Sequence, residues 1–432
     1  MAIKKEGYKA RLADKKISEY LKLFGAVSVE GPKWCGKTWT SLNHANSVSY
    51  IMDPAGNYAN KTRAEINPSL VLYGKSPHVI DEWQEVPGIW DAVRFNIDKE
   101  PGFGKYILTG SVTPSRESYK HSGAGRIAII RMRPMTLFES GDSTGAVSLA
   151  NVFSGKKIKP FAADIELIHL IDITIRGGWP QTLNLPIEKA GSVSAEYINA
   201  ILKNDLFNSD FSKRNSVKLN ILIKSLARNN STTVNESTLT ADYDGDGRSR
   251  QTNIEISLSR NSVQQYLNDL KRIFVIEDIP GWDPGIRSKT RIRSQSKIMF
   301  ADPSLAIAAL GIGRRHLLDD LNTYGFMFEN LCMRDLYAYA EYHGGSLYHY
   351  RDNSNLEADA IIEMQDGSWG GFEIKLGENQ IEAAAQTLNR LKNKMILNGA
   401  REPSCLAVIT GGGLGIKRED GIYVIPINSL KP

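Results

Sequence analysis

The sequence predicts an α/β fold in which a largely parallel sheet comes first and a second α/β unit closes the chain. In the first third, short apolar runs alternate with segments of helical periodicity, a pattern typical of βαβ units. A glycine-rich loop directly follows the first apolar run, at the carboxyl end of a strand, where open α/β sheets bind ligands. In the C-terminal part, two strand-like runs flank a turn and indicate the second unit.

The composition is that of a globular chain with several domains. A length of 432 residues suggests about two or three domains. Hydrophobic residues at 41% and charged residues at 23% supply real cores and exclude fibrous and disordered classes. No apolar run approaches the roughly 18 residues of a membrane span, and the N-terminus lacks the apolar stretch of a secretory signal. We therefore expect a cytoplasmic protein with no membrane partner.

The first third predicts an opening helix followed by buried strands. Apolar side chains recur at helical spacing over about residues 8–23. The strand candidates that follow are residues 25–30, 47–53, 76–82, 105–111 and 126–132. Helical segments between them predict a largely parallel sheet.

The segment GPKWCGKT lies between the first predicted strand and a helix, the setting expected of the phosphate loop G-x-x-x-x-G-K-[ST]. Gly31 and Gly36 let the backbone curl so that its amides face nucleotide phosphates, and the helix adds its positive end. Lys37 would contact the β- and γ-phosphates, and the Thr38 hydroxyl would ligate Mg²⁺. The other loop residues expected at the nucleotide are Pro32, Lys33, Trp34 and Cys35. The loop therefore predicts ATP and Mg²⁺ as cofactors.

An acidic pair ends the third predicted strand, HVIDE. Asp81 is expected at the carboxyl end of this strand, where it would hold Mg²⁺. Glu82 would act as general base toward the attacking water. A carboxylate directly after the magnesium ligand favours hydrolysis over phosphate transfer, so a small-molecule kinase is the less favoured alternative.

Polar residues on the following strands complete the predicted nucleotide site. Thr109 or Ser111, at the end of YILTGS, would be the sensor between the acidic strand and the γ-phosphate. Arg126, Arg131 or Arg133 would supply an arginine finger to a neighbouring subunit, which would make the protein a homo-oligomer.

Together these motifs resemble one AAA-type P-loop ATPase family of bacteria and archaea. The resemblance rests on GAVSVEGPKWCGKTWT, HVIDEWQEVP and YILTGS, followed by GAGR and RMRPMTLFES, and is strongest over residues 1–140. It implies a C-terminal restriction-endonuclease-like domain of unknown function. The predicted domains are an AAA-type P-loop ATPase domain (1–145), a helical lid or linker (146–215), a winged helix-turn-helix-like domain (216–300) and a PD-(D/E)xK nuclease-like domain (301–432).

The middle of the chain predicts a nucleic-acid adaptor. Two helical segments, at 219–230 and about 260–272, precede strand alternation in FVIEDI, the order of a winged helix. The exposed helix face would carry Arg260, Asn261, Gln264, Gln265, Lys271 and Arg272, which suit phosphate and base contacts. An exposed basic strand or wing would follow, with Arg287, Lys289, Arg291, Arg293 and Lys297. The net charge of +5 permits DNA as a partner without requiring it, so a protein-binding fold with a solvated basic face is the alternative.

The C-terminal part holds a second candidate site. Glu373 and Lys375 are two residues apart in WGGFEIKL and therefore share a strand face. A DG turn would place Asp359, in NLEADAIIEM, nearly opposite Glu373. This set resembles the PD-(D/E)xK nuclease core. The resemblance implies Mg²⁺ at Asp359, Glu373 and the helical Glu329, with Lys375 activating water for phosphodiester attack.

Two functions stay open at this point. The first is an ATP-hydrolysing protein that engages DNA through the winged helix and cleaves it with magnesium. The second is a nucleotide-gated module whose C-terminal nuclease fold only binds DNA or protein, because the signature's leading proline is absent and the charged cluster would also serve as a cross-strand ion pair.

Overall fold

The computed structural model describes residues 5–114, 120–163, 165–203, 215–233, 239, 259–285 and 295–432. The chain divides into two compact units, of which the first contains the residues up to Pro134 and a stretch at 268–275. The second unit contains most of the remaining residues. Within the described ranges, no helix is both long and apolar enough to cross a membrane. Of the predicted basic run, Arg287, Lys289, Arg291 and Arg293 lie outside the described residues.

The first unit is built around a parallel sheet. Its strands are β1 (Ala26–Glu30), β2 (Ser47–Tyr50), β3 (His78–Asp81), β4 (Tyr106–Gly110) and β5 (Ile127–Arg131). Its helices are α1 (Ala13–Tyr20), α2 (Lys37–Asn43), α3 (Ala59–Ile66) and α4 (Gly88–Lys99). The strand order is β2-β3-β4-β1-β5, with every pairing parallel. The predicted parallel sheet is therefore confirmed.

The centre of this sheet is covered on both faces. All residues of β1 and β4 are buried, as expected of inner strands in a parallel sheet. Helix α4 packs an apolar stripe against the sheet, and Trp90 on this stripe packs against Trp83 with ring centroids 4.9 Å apart and ring planes tilted by 35°. Burying an apolar side chain of this size stabilises the fold by about 1.5–3 kcal/mol or more. This packing fixes the carboxyl ends of β1, β3 and β4 at one edge of the sheet.

Among its described residues, the second unit contains a mixed sheet and two smaller sheets. The remaining strands are β6 (Val147–Ser148), β7 (Phe161–Ala163), β8 (Thr232–Thr233), β9 (Ile276–Ile279), β10 (Lys297–Phe300), β11 (Ser346–Arg351), β12 (Glu357–Glu363), β13 (Trp369–Lys375), β14 (Cys405–Thr410), β15 (Gly413–Lys417), β16 (Tyr423–Pro426) and β17 (Leu430–Lys431). The mixed sheet has the order β11-β12-β13-β14-β16-β15-β7. A separate antiparallel sheet has the order β8-β10-β9, and β17 pairs with β6.

Helices flank these sheets. The other helices in the described ranges are α5 (Leu137–Ser140), α6 (Leu149–Phe153), α7 (Leu167–Arg176), α8 (Ile187–Leu202), α9 (Ser216–Arg228), α10 (Arg260–Arg272, which belongs to the first unit from Asn268 on), α11 (Pro303–Leu310), α12 (Arg314–Asp319), α13 (Leu321–Tyr342) and α14 (Ile381–Leu397). Helix α13 begins at Leu321 because the Asp320 carboxylate accepts hydrogen bonds from two backbone amides of its first turn. Both α13 and α14 pack on the β12–β13 hairpin.

A buried ion triad joins distant parts of the second unit. The Arg334 guanidinium, on α13, donates to Asp335 Oδ1 and to Asp302 Oδ2, each at 2.8 Å. All three side chains are at most 1% exposed. The two carboxylates also accept hydrogen bonds from the backbone amides of Leu137 and Gly178. Each buried charge is therefore paired and hydrogen-bonded.

Candidate functional site: the phosphate loop and a carboxylate–lysine cluster

The loop between β1 and α2 has the backbone geometry that its two glycines allow. Gly36 has a φ of 100°, in the left-handed region that favours glycine. A Cβ atom on Gly31 would lie 2.1 Å from the Met132 carbonyl oxygen, so this position excludes any side chain. Trp34 also has a positive φ, 67°, and its side chain is 40% exposed. The loop therefore holds a non-glycine residue in a conformation that costs energy.

The Lys37 ammonium is held inside the curve of the loop. The residue is 5% exposed, and its Nζ donates to the Pro32 carbonyl oxygen at 2.8 Å. Gly36, Lys37 and Thr38 form the N-cap and first helical positions of α2, whose amides have no acceptor within the helix. The ammonium and these amides are the donors that a nucleotide phosphate would need, so the residues present fit this group.

Arg11, just before α1, also holds the phosphate loop, and no sequence pattern indicated this role. Its guanidinium donates to the Cys35 carbonyl oxygen at 2.6 Å and to the Arg133 carbonyl oxygen at 2.8 Å. Arg11 is 7% exposed. A charged donor therefore fixes the peptide that precedes Gly36.

The two predicted magnesium ligands of the first unit are in direct contact. Thr38 Oγ1 donates to Asp81 Oδ1 at 2.7 Å, and Thr109 Oγ1 donates to the same oxygen at 2.6 Å. The sheet register pairs Asp81 with Thr109 and so sets the second contact. Burial raises the pKa of Asp81 above its ordinary value, against the opposing effect of these two hydrogen bonds. A hydroxyl and a carboxylate side by side are oxygen ligands that suit Mg²⁺.

Glu82 is held by the neighbouring strand and by a residue that the sequence did not single out. Its carboxylate accepts a hydrogen bond from Ser111 Oγ at 3.0 Å and another from the Gln84 amide. Its own φ is 59°, and its backbone N–H donates to Thr109 Oγ1. Gln84 is 3% exposed, and within the described residues its Oε1 has no hydrogen-bond partner. An unpaired acceptor therefore lies beside the predicted general base.

Arg126 was predicted to contact the nucleotide, but it does not lie near the phosphate loop of its own chain. Ile127, next to it, pairs with Ala26, so Arg126 lies at the amino end of the sheet, opposite to the loop. Its guanidinium donates to Asp98 Oδ1 at 2.8 Å. A contact with the nucleotide of a neighbouring subunit stays a prediction.

In the second unit, the predicted C-terminal residues come together. Ala360 pairs with Phe372 across the β12–β13 hairpin, so the next pair along this register is Asp359 and Glu373. Lys375 Nζ lies 3.1 Å from Asp359 Oδ2 and 2.7 Å from Glu373 Oε2. The Ile374 amide donates to Asp359 Oδ2 at 2.7 Å.

Lys297 is a further member of this cluster, and its placement corrects the prediction of an exposed basic strand. Its side chain is 12% exposed, and its Nζ lies 2.9 Å from Glu329 Oε1 on α13 and 3.9 Å from Asp359 Oδ1. The sequence could not reveal this contact because the three residues lie on β10, α13 and β12, far apart along the chain. The carboxylate–lysine cluster thus consists of Lys297, Glu329, Asp359, Glu373 and Lys375.

Burial and charge act in opposite directions on these groups. Burial and the neighbouring Asp359 raise the pKa of Glu373 to about 8, and burial raises the pKa of Glu329 to about 7. Burial alone would raise the pKa of Asp359 as well, but the Lys375 and Lys297 ammonium groups outweigh it and lower this pKa. Asp359 is therefore the carboxylate that both lysines keep ionised.

The cluster does not fit Mg²⁺ in this arrangement. Each of its three carboxylates already contacts a lysine ammonium group. Across the part of the chain that the structure describes, no group of three or more His, Cys, Asp or Glu side chains is placed to hold a metal ion. The predicted ligands Asp359, Glu373 and Glu329 are near one another, but lysines lie between them.

Three parts of the chain match known families. Residues 24–140 match the AAA domain family, residues 168–316 match a domain of unknown function (DUF8612), and residues 324–430 match another (DUF4143). The match agrees with the phosphate loop, the acidic strand end and the parallel sheet. Residues 24–140 are therefore similar to an AAA domain, which supports an α/β P-loop fold for this part of the chain. The descriptions of the other two families name no activity.

Similar whole chains add little about function. Two uncharacterized proteins, from Mycobacterium bovis and Mycobacterium tuberculosis, are each 24% identical over 353 residues, which is 81% of this chain and 70% of the relative. The Walker-type ATPase PABY2304 of Pyrococcus abyssi is 13% identical with a TM-score of 0.42, over 71% of this chain and 97% of that one. The Aeropyrum pernix ORC1 protein, solved in complex with DNA, is 13% identical with a TM-score of 0.26, over 71% and 93%. Both scores are too low to bear on function.

Proposed function

We propose that the chain is an AAA-type ATPase that binds ATP with Mg²⁺ in its first unit and hydrolyses it. The observation that carries the proposal is the convergence of the phosphate loop with the acidic end of β3, where Thr38 and Asp81 share a hydrogen bond of 2.7 Å. The match of residues 24–140 to the AAA domain family supports the same activity.

Each residue would have a distinct part in the reaction. Lys37 and the amides at the start of α2 would bind the phosphates and stabilise the charge that develops on the transferred group. Thr38 and Asp81 would hold Mg²⁺, which neutralises phosphate charge when bound. Glu82 would orient and deprotonate the attacking water, and Ser111 and Gln84 would hold its carboxylate in place.

Nucleotide binding and turnover test this proposal separately. We expect Lys37→Ala to abolish binding of a fluorescent ATP analogue, whereas Glu82→Gln should bind the analogue and lose most of its phosphate release. The matched controls are Lys61→Ala and Glu85→Gln, which remove the two partners of one ion pair with a distance of 3.3 Å elsewhere in this unit. Full hydrolysis by both test variants would refute the assignment. Hydrolysis in buffer alone would exclude a small-molecule kinase.

We also propose that the ATPase cycle controls how the protein engages DNA. Helix α10 has a buried apolar face (Val263, Tyr266, Leu267 and Leu270) and an exposed polar one (Arg260, Asn261, Gln264 and Gln265). We propose that helices α9 and α10 with the antiparallel sheet β8-β10-β9 act as a winged helix, because two helices and short strands are its elements. Side chains of these types suit phosphate and base-edge contacts.

Anisotropy with labelled duplex DNA, with and without ATP, tests this second step. We expect Arg260→Ala combined with Gln264→Ala to weaken binding and to reduce its salt dependence, because one phosphate contact is lost. The control is Arg315→Ala on α12, whose side chain is 94% exposed. Absence of DNA binding by the wild-type protein under every nucleotide condition would favour a protein partner instead.

For the C-terminal fold, the contacts favour binding without metal-dependent cleavage. The carboxylate–lysine cluster has its three carboxylates paired with two ammonium groups, so we propose that this fold is a module that holds its partner rather than a nuclease. Plasmid incubated with Mg²⁺ or Mn²⁺, with and without ATP, is expected to stay intact. Cleavage that is lost in Lys375→Ala would establish the nuclease instead.

A further inference from the structure

The carboxylate–lysine cluster is open to ions although its charged groups are largely buried. A cavity of about 690 Å³ in the second unit is lined by Glu329 and Lys375, together with apolar residues such as Phe326 and Leu321. A hydrated ion would therefore have a path to Glu329, whereas Asp359 and Glu373 do not line this cavity.

The two lysines of the cluster lie on different strands, Lys375 on β13 and Lys297 on β10, and they contact different carboxylates. Lys375 contacts the carboxylates of its own hairpin, Asp359 and Glu373. Lys297 comes from a different sheet and lies between Glu329 and Asp359, which would otherwise repel each other. An ammonium group between two carboxylates replaces the charge that a cation would contribute there. Three carboxylates and two ammonium groups leave a formal charge of −1 when all are ionised.

The position of Lys297 is fixed by contacts on both sides of it. On one side, Asn330 on α13 donates to the Phe300 carbonyl oxygen at 2.9 Å, and the Phe300 amide donates to Asn230 Oδ1 at 3.2 Å. The two asparagines are fully buried and bond to each other at 3.0 Å. On the other side, His349 Nε2 donates to the Gln295 carbonyl oxygen at 2.9 Å. Since Asn330 adjoins Glu329, the same helical turn holds both the strand and the carboxylate that Lys297 contacts.

We propose that Lys297 takes the place of a divalent cation in the carboxylate–lysine cluster and prevents Mg²⁺ from binding there. The inference rests on the proposed non-cleaving role of the C-terminal fold, and it assigns that role to one residue. Replacing Lys297 by a neutral side chain would free Glu329 and one oxygen of Asp359 as metal ligands. The fold would then hold a metal site that the wild-type protein lacks.

Mn²⁺ binding to nucleotide-free protein tests the proposal, with free Mn²⁺ followed by electron paramagnetic resonance. The signal assigned to the cluster is the part of the binding that Asp359→Asn removes, which separates it from any ion near Thr38 and Asp81. We expect no such binding by the wild-type protein at millimolar Mn²⁺. Lys297→Met and Lys297→Gln should each gain an Asp359-dependent site whose affinity is at least about tenfold above the millimolar limit set by the wild-type protein, because one positive charge has left the cluster.

The control variant is Lys394→Met, which removes another lysine–aspartate pair of the second unit, Lys394 Nζ to Asp352 Oδ2 at 2.5 Å. It should gain no Asp359-dependent site. Circular dichroism would establish that each variant is folded, and two substitutions are used so that one misfolded protein does not end the test. An Asp359-dependent site in the wild-type protein, or folded Lys297 variants that bind no Mn²⁺, would overturn the proposal. Since no nucleotide is present, either result is independent of whether the chain hydrolyses ATP.

Discussion

Gln84 contacts the predicted general base Glu82, although it lies outside the motif HVIDE. Its amide group bonds to the Glu82 carboxylate, and its nitrogen lies 3.4 Å from Ser111 Oγ. Gly110 leaves room for this side chain, because a Cβ there would lie 3.2 Å from Gln84 Oε1. The Gln84 oxygen is buried and has no hydrogen-bond partner among the described residues. We propose that Gln84 is a positioning residue of the ATPase, which acts through the bond of its nitrogen to Glu82.

We expect Gln84→Leu to lower the rate of ATP hydrolysis by about tenfold or more while nucleotide affinity stays unchanged. The physical reason is that Glu82 loses its fixed orientation toward water, a geometric factor in general base catalysis. Single-turnover hydrolysis and binding of a fluorescent analogue separate the two quantities. Asn96→Leu is the control, because Asn96 is another side-chain amide of the same unit and bonds to the Tyr106 hydroxyl at 2.8 Å. Equal loss of binding and turnover would mean that Gln84 only supports the fold.

At the scale of elements, strand β11 carries a buried histidine that makes the second unit sensitive to acid. His349 is 2% exposed, and burial, aided by the nearby Lys297 charge, lowers its pKa from 6.5 to about 4. The backbone of His349 also bonds to Pro280 and Trp282, so β11 is tied to the segment after β9. A charged imidazole at this position would be both desolvated and close to a lysine.

We expect His349 to contribute a loss of up to about 3 kcal/mol of stability as the pH falls from 6.5 to about 4, read as the difference between the wild-type protein and His349→Gln, because the raised pKa values of Glu329, Glu373 and Asp335 act in the opposite direction. The sign follows from the lowered pKa, because unfolded His349 binds a proton in this range whereas folded His349 does not. Denaturant unfolding followed at a series of pH values would measure it. His349→Gln should remove this contribution, and His316→Gln, an exposed histidine on α12, should leave it unchanged. The same pH dependence in His349→Gln as in the wild-type protein would assign it to other groups.

The sequence can predict an element when the interactions that define it are local along the chain. The parallel sheet and the phosphate loop depend on local periodicity and on a contiguous motif, and both were predictable. The contact of Lys297 with Glu329 joins β10 to α13, and no local pattern distinguishes a lysine at the start of a buried strand from one on an exposed wing. Arg11 likewise supports the phosphate loop from a segment more than one helix away. Such residues become visible only when packing is known.

At the scale of the whole molecule, the second unit depends on a few contacts between distant segments. The Asp302 carboxylate accepts from the Ser304 amide at the start of α11 and from the Gly178 amide, while Asp335 accepts from the Leu137 amide. Burial raises the pKa of Asp335 to about 6, against the opposing charge of Arg334. The bonds from Gly178 and Leu137 connect stretches that are more than a hundred residues apart. The guanidinium of Arg334, which contacts both carboxylates, therefore holds together segments that belong to different helices and strands.

We expect Arg334→Met to destabilise the second unit by about 3–5 kcal/mol, because it leaves two carboxylates buried without their counter-charge. The methionine keeps much of the side-chain volume, so the loss reports on charge more than on packing.

Arg351→Met is the control, since Arg351 pairs with Glu357 at 2.9 Å in a surface contact where both side chains are about half exposed. That change should cost about 0–1 kcal/mol. Chemical denaturation of the full chain measures both, and similar values for the two variants would mean that the triad adds no more than a surface ion pair. If Asp302→Asn combined with Arg334→Met restores part of the lost stability, the cost lies in the unpaired carboxylate itself.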